Sequence, residues 1–127
     1  MTPRSGGRSM MIVSQILVAF VALEHLGFLT LEMYFWDKPL GLKVFRQTPQ
    51  AASATKALAA NQGLYNGFLA AGLIWSLFAG RFDNQLFFLG CVIVAGLFGA
   101  ATALRNILYI QALPAALAFA AVWLAAR

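Results

Sequence analysis

The chain has 127 residues, of which 61% are hydrophobic and only 10% are charged. A soluble domain carries about 25% charged residues, so four acids and nine bases are too few to cover a water-exposed surface. Together with a mean hydropathy of +0.78, these figures exclude an ordinary soluble domain and favour one integral membrane domain.

The net charge of +5 does not indicate a nucleic-acid partner. The basic residues are scattered between apolar blocks, whereas a nucleic-acid-binding protein gathers them on one face. Single bases at the ends of apolar blocks are typical of membrane topology, so we expect the lipid bilayer as the surroundings. Cys91 is the one cysteine, and no spacing matches a metal motif, so we expect neither a metal nor a cofactor.

The first part of the chain contains a polar tail, an apolar run and a polar loop. Residues 1–9 hold two glycines and a proline and are expected to be disordered. The run 10–36 is apolar and exceeds the about 20 residues that a bilayer-crossing helix needs. Residues 37–55 form the long polar loop, whose segment 39–46 can either lie flat on the membrane surface or be an ordinary basic loop.

Three more membrane helices are predicted after the loop, at residues 56–79, 85–104 and 107–126. Their connections are short, so these three helices must be antiparallel neighbours. The predicted fold is therefore all-α, a four-helix transmembrane bundle. An even number of spans places both termini on one side, while the nearly equal counts of Lys and Arg on the two sides leave the orientation open.

Small residues recur at four-residue spacing, as in Gly63, Gly67 and Ala71 of the second predicted helix. Helices in lipid approach closely where such residues meet, so the stripe is expected to pack helices within the bundle or between subunits. Four helices enclose too little space for a sizeable pathway. We therefore expect a homo-oligomer, with a dimer favoured.

The first predicted span contains the ionisable residues Glu24, His25 and Glu32. A charged side chain at mid-membrane costs about 3 kcal/mol, so these residues should face protein or trapped water. At a rise of about 1.5 Å per residue, Glu32 lies roughly 6 Å and His25 roughly 16 Å from the loop side.

Polar residues of the other helices fall in the same half of the membrane. The second helix enters from the loop side and carries its amides at roughly 7 to 15 Å, and the fourth helix begins on that side. The predicted pocket, open toward the loop, consists of Glu24, His25, Glu32, Trp36, Asn61, Gln62, Tyr65, Asn66 and Gln111. The alternative is that these groups only hold helices together, through hydrogen bonds that contribute about 0.6 kcal/mol each.

These polar stretches also carry a family resemblance. The runs ALEHL (22–26), LEMYFW (31–36), LAANQGLYNGFLAAG (58–72) and QALPA (111–115) resemble the bacterial membrane family catalogued as domain of unknown function 1304. The resemblance covers nearly the whole chain beyond the tail and implies four helices in the bacterial cytoplasmic membrane. It implies that the nine pocket residues characterise the family, and it brings no activity, substrate or cofactor.

Three functions remain open from the sequence. The first is a transporter in which Glu24 or Glu32 exchanges protons for a small cationic or aromatic compound. The second is a membrane enzyme or binding module for an apolar, lipid-soluble ligand, in which His25 and a carboxyl group act as acid and base. The third is a structural subunit of a larger membrane complex. A protein without enzymatic activity is favoured over an enzyme.

Overall fold

The computed structural model describes residues 5–127, and the fold of this part is all-helical, with no strand. The helices in chain order are α1 (Ser5–Tyr34), α2 (Pro39–Val44), α3 (Pro49–Phe78), α4 (Phe82–Thr102) and α5 (Leu113–Ala125). A π-helical turn, Leu108–Ala112, leads directly into α5. The predicted all-α class is confirmed for these residues.

Within residues 5–127, three helical stretches are long and apolar enough to cross a membrane. They are Gly6–Tyr34, Phe82–Thr102 and Leu108–Ala125. The 30-residue helix α3 is longer than each of these but carries Asn61, Gln62 and Asn66 within one stretch, so its apolar character is lower. A fourth span through α3 therefore remains a prediction.

Helix α1 begins at Ser5 and not at Met10. Once a helix has formed, each further residue adds one backbone hydrogen bond at little cost, so the helix extends beyond the apolar run. The predicted disordered tail is therefore wrong for residues 5–9. Its first four residues lie outside the described part of the chain.

The predicted polar loop is largely helical. Pro39 begins α2 and Pro49 begins α3, each at a first-turn position where the missing N–H costs nothing. The Thr48 hydroxyl oxygen accepts a hydrogen bond from the Ala51 N–H at 3.1 Å and so caps the start of α3. Because of this cap, α3 starts at Pro49 and not at Lys56.

The described chain divides into two compact units. One comprises Leu23–Ala70, and the other comprises the residues up to Ala22 and those from Ala71 onward. In the second unit α4 packs against the start of α5. A Cβ on Gly96 would lie only 2.9 Å from the Ala112 backbone nitrogen, so this crossing requires glycine.

The predicted fourth helix, 107–126, is not a regular α-helix at its start. Pro114 has no N–H to donate and its ring would crowd the carbonyl four residues earlier. The wider π-helical turn just before it gives that carbonyl more room. The Gln111 side chain lies in this turn and donates from Nε2 to the Val92 carbonyl of α4 at 3.3 Å.

Candidate functional site

Within the unit Leu23–Ala70, α1 and α3 run antiparallel and side by side. At the loop end, Lys56 Nζ lies 3.0 Å from Asp37 Oδ2, and this hydrogen bond holds the pKa of the Asp37 carboxyl below its ordinary value. Farther along, Gly67 lies against the Leu29 side chain. Because the helices are antiparallel, residues later in α3 pack against residues earlier in α1, and the polar residues of the two helices lie at matching depths.

Glycine allows the two helices to approach closely. A Cβ on Gly63 would lie 2.8 Å from Met33 Cγ, 3.1 Å from Glu32 Cβ and 3.2 Å from the Leu29 carbonyl oxygen. All three distances are shorter than ordinary contacts. The packing role predicted for Gly63 and Gly67 is therefore confirmed, and this close approach lets a short side chain of α3 reach Glu32.

Glu32 is the centre of the candidate site. Its side chain is 2% exposed, and Asn66 Nδ2 donates a hydrogen bond to Glu32 Oε1 at 2.5 Å. The Gln62 amide makes a second, smaller interaction with the same carboxyl group. The other oxygen, Oε2, is buried and has no hydrogen-bond partner among residues 5–127. The carboxyl group therefore has one oxygen engaged by Asn66 and one available to accept a proton or a cation.

Two further ionisable residues lie deeper on α1. His25 is fully buried, and its ring meets Phe28 edge-to-face with centroids 5.1 Å apart. His25 lies seven residues before Glu32 on the same helix face, about 10 Å away along the axis. Glu24 is half-buried, and its Oε1 is buried with no hydrogen-bond partner in the described part of the chain.

An aromatic cap covers the loop end of this helix pair. Trp36 Nε1 donates to Thr55 Oγ1 at 3.1 Å, and the Trp36 ring packs on Phe45 with centroids 4.6 Å apart. Helix α2 is docked beside them through Gly41, where a Cβ would lie 2.7 Å from the Phe35 carbonyl carbon. We call Trp36, Phe45 and Thr55 the Trp36 cap. It lies about one helical turn beyond the buried carboxyl group.

Phe45 and Thr55 are not among the site residues predicted from the sequence. Both fall in the predicted polar loop, for which the sequence predicts no pocket residue. The feature of the sequence that points to such a contact is Trp36, because a half-buried indole N–H needs a hydrogen-bond acceptor.

Three other predicted pocket residues are exposed: Asn61, Gln62 and Tyr65, with Tyr65 exposed to 60%. Each residue turns an α-helix by about 100°, so Asn61 and Tyr65 lie about 160° away from Gly63. They therefore occupy the side of α3 opposite to α1. The structure brings Asn66 to Glu32 and places Asn61 and Tyr65 away from it.

Gln111 belongs to the other compact unit, where its amide donates to α4. Among the described residues, no three His, Cys, Asp or Glu side chains are grouped so that they could hold a metal ion. The contacts that define the candidate site are those of the Glu32 carboxyl group with the Asn66 amide and those within the Trp36 cap.

Comparison with known proteins assigns the chain to a family. A family described as "Protein of unknown function (DUF1304)" matches residues 19–123. The chain belongs to the DUF1304 family. The DUF1304 match includes the nine predicted site residues and confirms the resemblance found in the sequence.

A curated relative is the "Uncharacterized protein YpaA" of Lactococcus lactis subsp. lactis (strain IL1403). It is 30% identical over 106 residues, which cover 80% of this chain and 89% of the relative. No solved structure matches the chain. These comparisons establish the DUF1304 family and a bacterial relative, and their descriptions carry no activity.

Proposed function

We propose that this protein is a small multi-pass transporter of the bacterial cytoplasmic membrane that exchanges protons for monovalent organic cations at Glu32. The observation that carries the proposal is the buried Glu32 carboxyl group, in which Oε1 is bonded to Asn66 and Oε2 has no hydrogen-bond partner among residues 5–127. A fourth span through α3 is part of the proposal, with both termini on one side. It is supported by the 30-residue length of α3 and its antiparallel pairing with the apolar α1.

A carboxyl group in this position suits an exchange mechanism. A bare carboxylate inside a membrane is costly, so Glu32 should release its proton only as a cation arrives. The arriving cation carries one positive charge and the released proton carries another, so the step is electroneutral. The Asn66 amide donates to Oε1 in either state and keeps the carboxyl group in place.

The Trp36 cap supplies an approach from the loop side. Its indole ring lies about one turn from Glu32, and aromatic faces attract organic cations. Opening the contact between Trp36 and Phe45 would admit a flat or aromatic cation to the carboxyl group. The cap therefore favours organic cations over small hydrated metal ions.

The test uses the purified protein in liposomes that contain a pH-sensitive dye. With an imposed proton gradient, ethidium or tetraphenylphosphonium is added outside, and proton release and cation uptake are recorded together. Wild type should couple the two, and Glu32→Gln should lose at least 90% of the flux. Asp83→Asn is the matched control, because Asp83 is an exposed acid that pairs with Arg81 at the start of α4. Wild-type flux equal to that of empty liposomes, or full flux in Glu32→Gln, would overturn the proposal.

The Glu32–Asn66 hydrogen bond itself supports a second candidate, a structural subunit of a larger membrane complex. In that case the bond only holds α1 on α3. Glu32→Gln should then behave as wild type, because an amide oxygen still accepts from Asn66, whereas Glu32→Leu should unfold more easily. Copurification of a defined membrane complex with wild type and Glu32→Gln, together with absent cation flux, would favour this candidate.

A further inference from the structure

Helix α3 presents a second, outward face. Five exposed residues form this face: Ala54, Leu58, Asn61, Tyr65 and Phe68. They are separated alternately by four and three positions. We call these five residues the outer stripe. The exposed fractions of Leu58, Tyr65 and Phe68 are 72%, 60% and 55%. This spacing is that of the seam along which two helices supercoil around each other.

One residue of the outer stripe, Asn61, is poorly suited to contact with lipid. The ion pair of Lys56 with Asp37 marks the polar boundary of α3. Asn61 lies about 8 Å and Tyr65 about 13 Å deeper along the axis. The Asn61 amide makes no hydrogen bond within residues 5–127, and its side chain is too short to reach the boundary. Hydrocarbon offers an amide no partner, so another protein surface should cover it.

We propose that a second copy of this chain docks on the outer stripe. The two α3 helices would cross the membrane in parallel around a two-fold axis, with the two Asn61 amides hydrogen-bonded to each other. The inference requires that α3 spans the membrane, as in the proposed function, but it does not depend on proton exchange.

The chemistry of the stripe favours a second copy over a different protein. An amide both donates and accepts, so it is its own complement. A two-fold axis places identical residues of parallel helices opposite each other, so one Asn61 meets the other at the same depth. The flanking positions Leu58 and Phe68 are apolar and supply matching contacts. A single polar residue in an otherwise apolar seam also fixes the register of the two helices.

Disulfide trapping in membranes tests the position of the interface. In a Cys91→Ser background, Ala54→Cys and Leu58→Cys should cross-link into dimers under mild oxidation, because a disulfide needs Cα atoms within about 7 Å. Leu64→Cys is the control on the same helix, exposed to 43% and about 80° around the axis from the middle of the outer stripe. Cross-linking at Leu64 that equals or exceeds cross-linking on the stripe would overturn the proposal.

A dilution experiment tests the role of Asn61. Fluorescence energy transfer between labelled copies in liposomes is measured as lipid is added. Asn61→Leu should weaken dimerisation about 3- to 20-fold, the range expected for an interhelical hydrogen bond. Asn61→Gln keeps a self-complementary amide and should recover most of the affinity.

A wild-type protein that is monomeric at every lipid ratio would overturn the inference, and so would Asn61→Leu that dimerises as well as wild type. A dimer trapped through the stripe in a protein without cation flux would support this inference while removing the proposed function.

Discussion

Replacing Gly41 with alanine should release α2 from the end of the α1–α3 pair. Gly41 is buried, and a Cβ there would lie 2.7 Å from the Phe35 carbonyl carbon and 2.8 Å from the Trp36 carbonyl oxygen, with the Phe35 oxygen closer still. These are backbone atoms, so no side-chain rotation relieves the overlap. The distance to the Phe35 carbon alone would have to grow from 2.7 Å to about the 3.4 Å of an ordinary contact.

The substitution can be accommodated with α2 docked or with α2 detached, and the response with the lower free-energy cost sets the size of the effect. Overpacking with α2 still docked costs about 1–3 kcal/mol. Detachment of α2 loses the Trp36–Phe45 ring contact, worth about 0.5–1.5 kcal/mol, together with the burial around Gly41. Both estimates place the loss in the free energy of α2 docking near about 1–3 kcal/mol. The open state of α2 should therefore become about 5- to 150-fold more populated, since each 1.4 kcal/mol is a factor of ten.

Hydrogen exchange in nanodiscs measures this population directly. The Leu42 and Phe45 amides donate within and next to α2 at 2.9 Å each, so their exchange should accelerate by the stated factor in Gly41→Ala. Gly27→Ala is the control, because a Cβ on Gly27 meets nothing within 4 Å. Unchanged exchange in Gly41→Ala, or equal acceleration in Gly27→Ala, would refute the reasoning.

Three more predictions concern packing and charge. Gly63→Ala should destabilise the fold by about 1–2 kcal/mol in a detergent unfolding titration, because its Cβ meets a backbone carbonyl. The Cβ of the control variant Gly67→Ala meets only the end of a leucine side chain, so its stability should stay within about 0.5 kcal/mol of wild type. Gly96→Ala should cost about 1–3 kcal/mol in the same titration, since its Cβ meets backbone atoms of the π-helical turn, and a neutral result would contradict the close crossing of α4 and α5. The Asp37–Lys56 pair should stabilise the fold fully above the ordinary Asp37 pKa of 3.8 and lose this effect as the pH falls through the lower pKa of the folded state. The difference in melting temperature between wild type and Asp37→Asn should therefore vanish in acid. A difference that does not depend on pH would exclude the pair as its cause.

The sequence alone determined the class of the protein. Long apolar runs with few charges predict membrane helices because a bilayer admits only backbone that satisfies its own hydrogen bonds. The starts of α2 and α3 were also readable from Pro39, Thr48 and Pro49, but the polar composition of that segment favoured a loop. A short helix such as α2 has little intrinsic stability, and docking through Gly41 is what holds it.

The tertiary structure decided which polar residues share a site. The run from Asn61 to Asn66 is longer than one helical turn, so its side chains point in every direction, and depth alone suggested one pocket. Only the close approach at Gly63 shows that Asn66 faces Glu32 while Asn61 and Tyr65 face outward. The depth of a residue in a membrane can be predicted from its position in the sequence, because the rise per residue of a helix is constant. The direction that it faces depends on which sides of the helices can pack closely enough to meet.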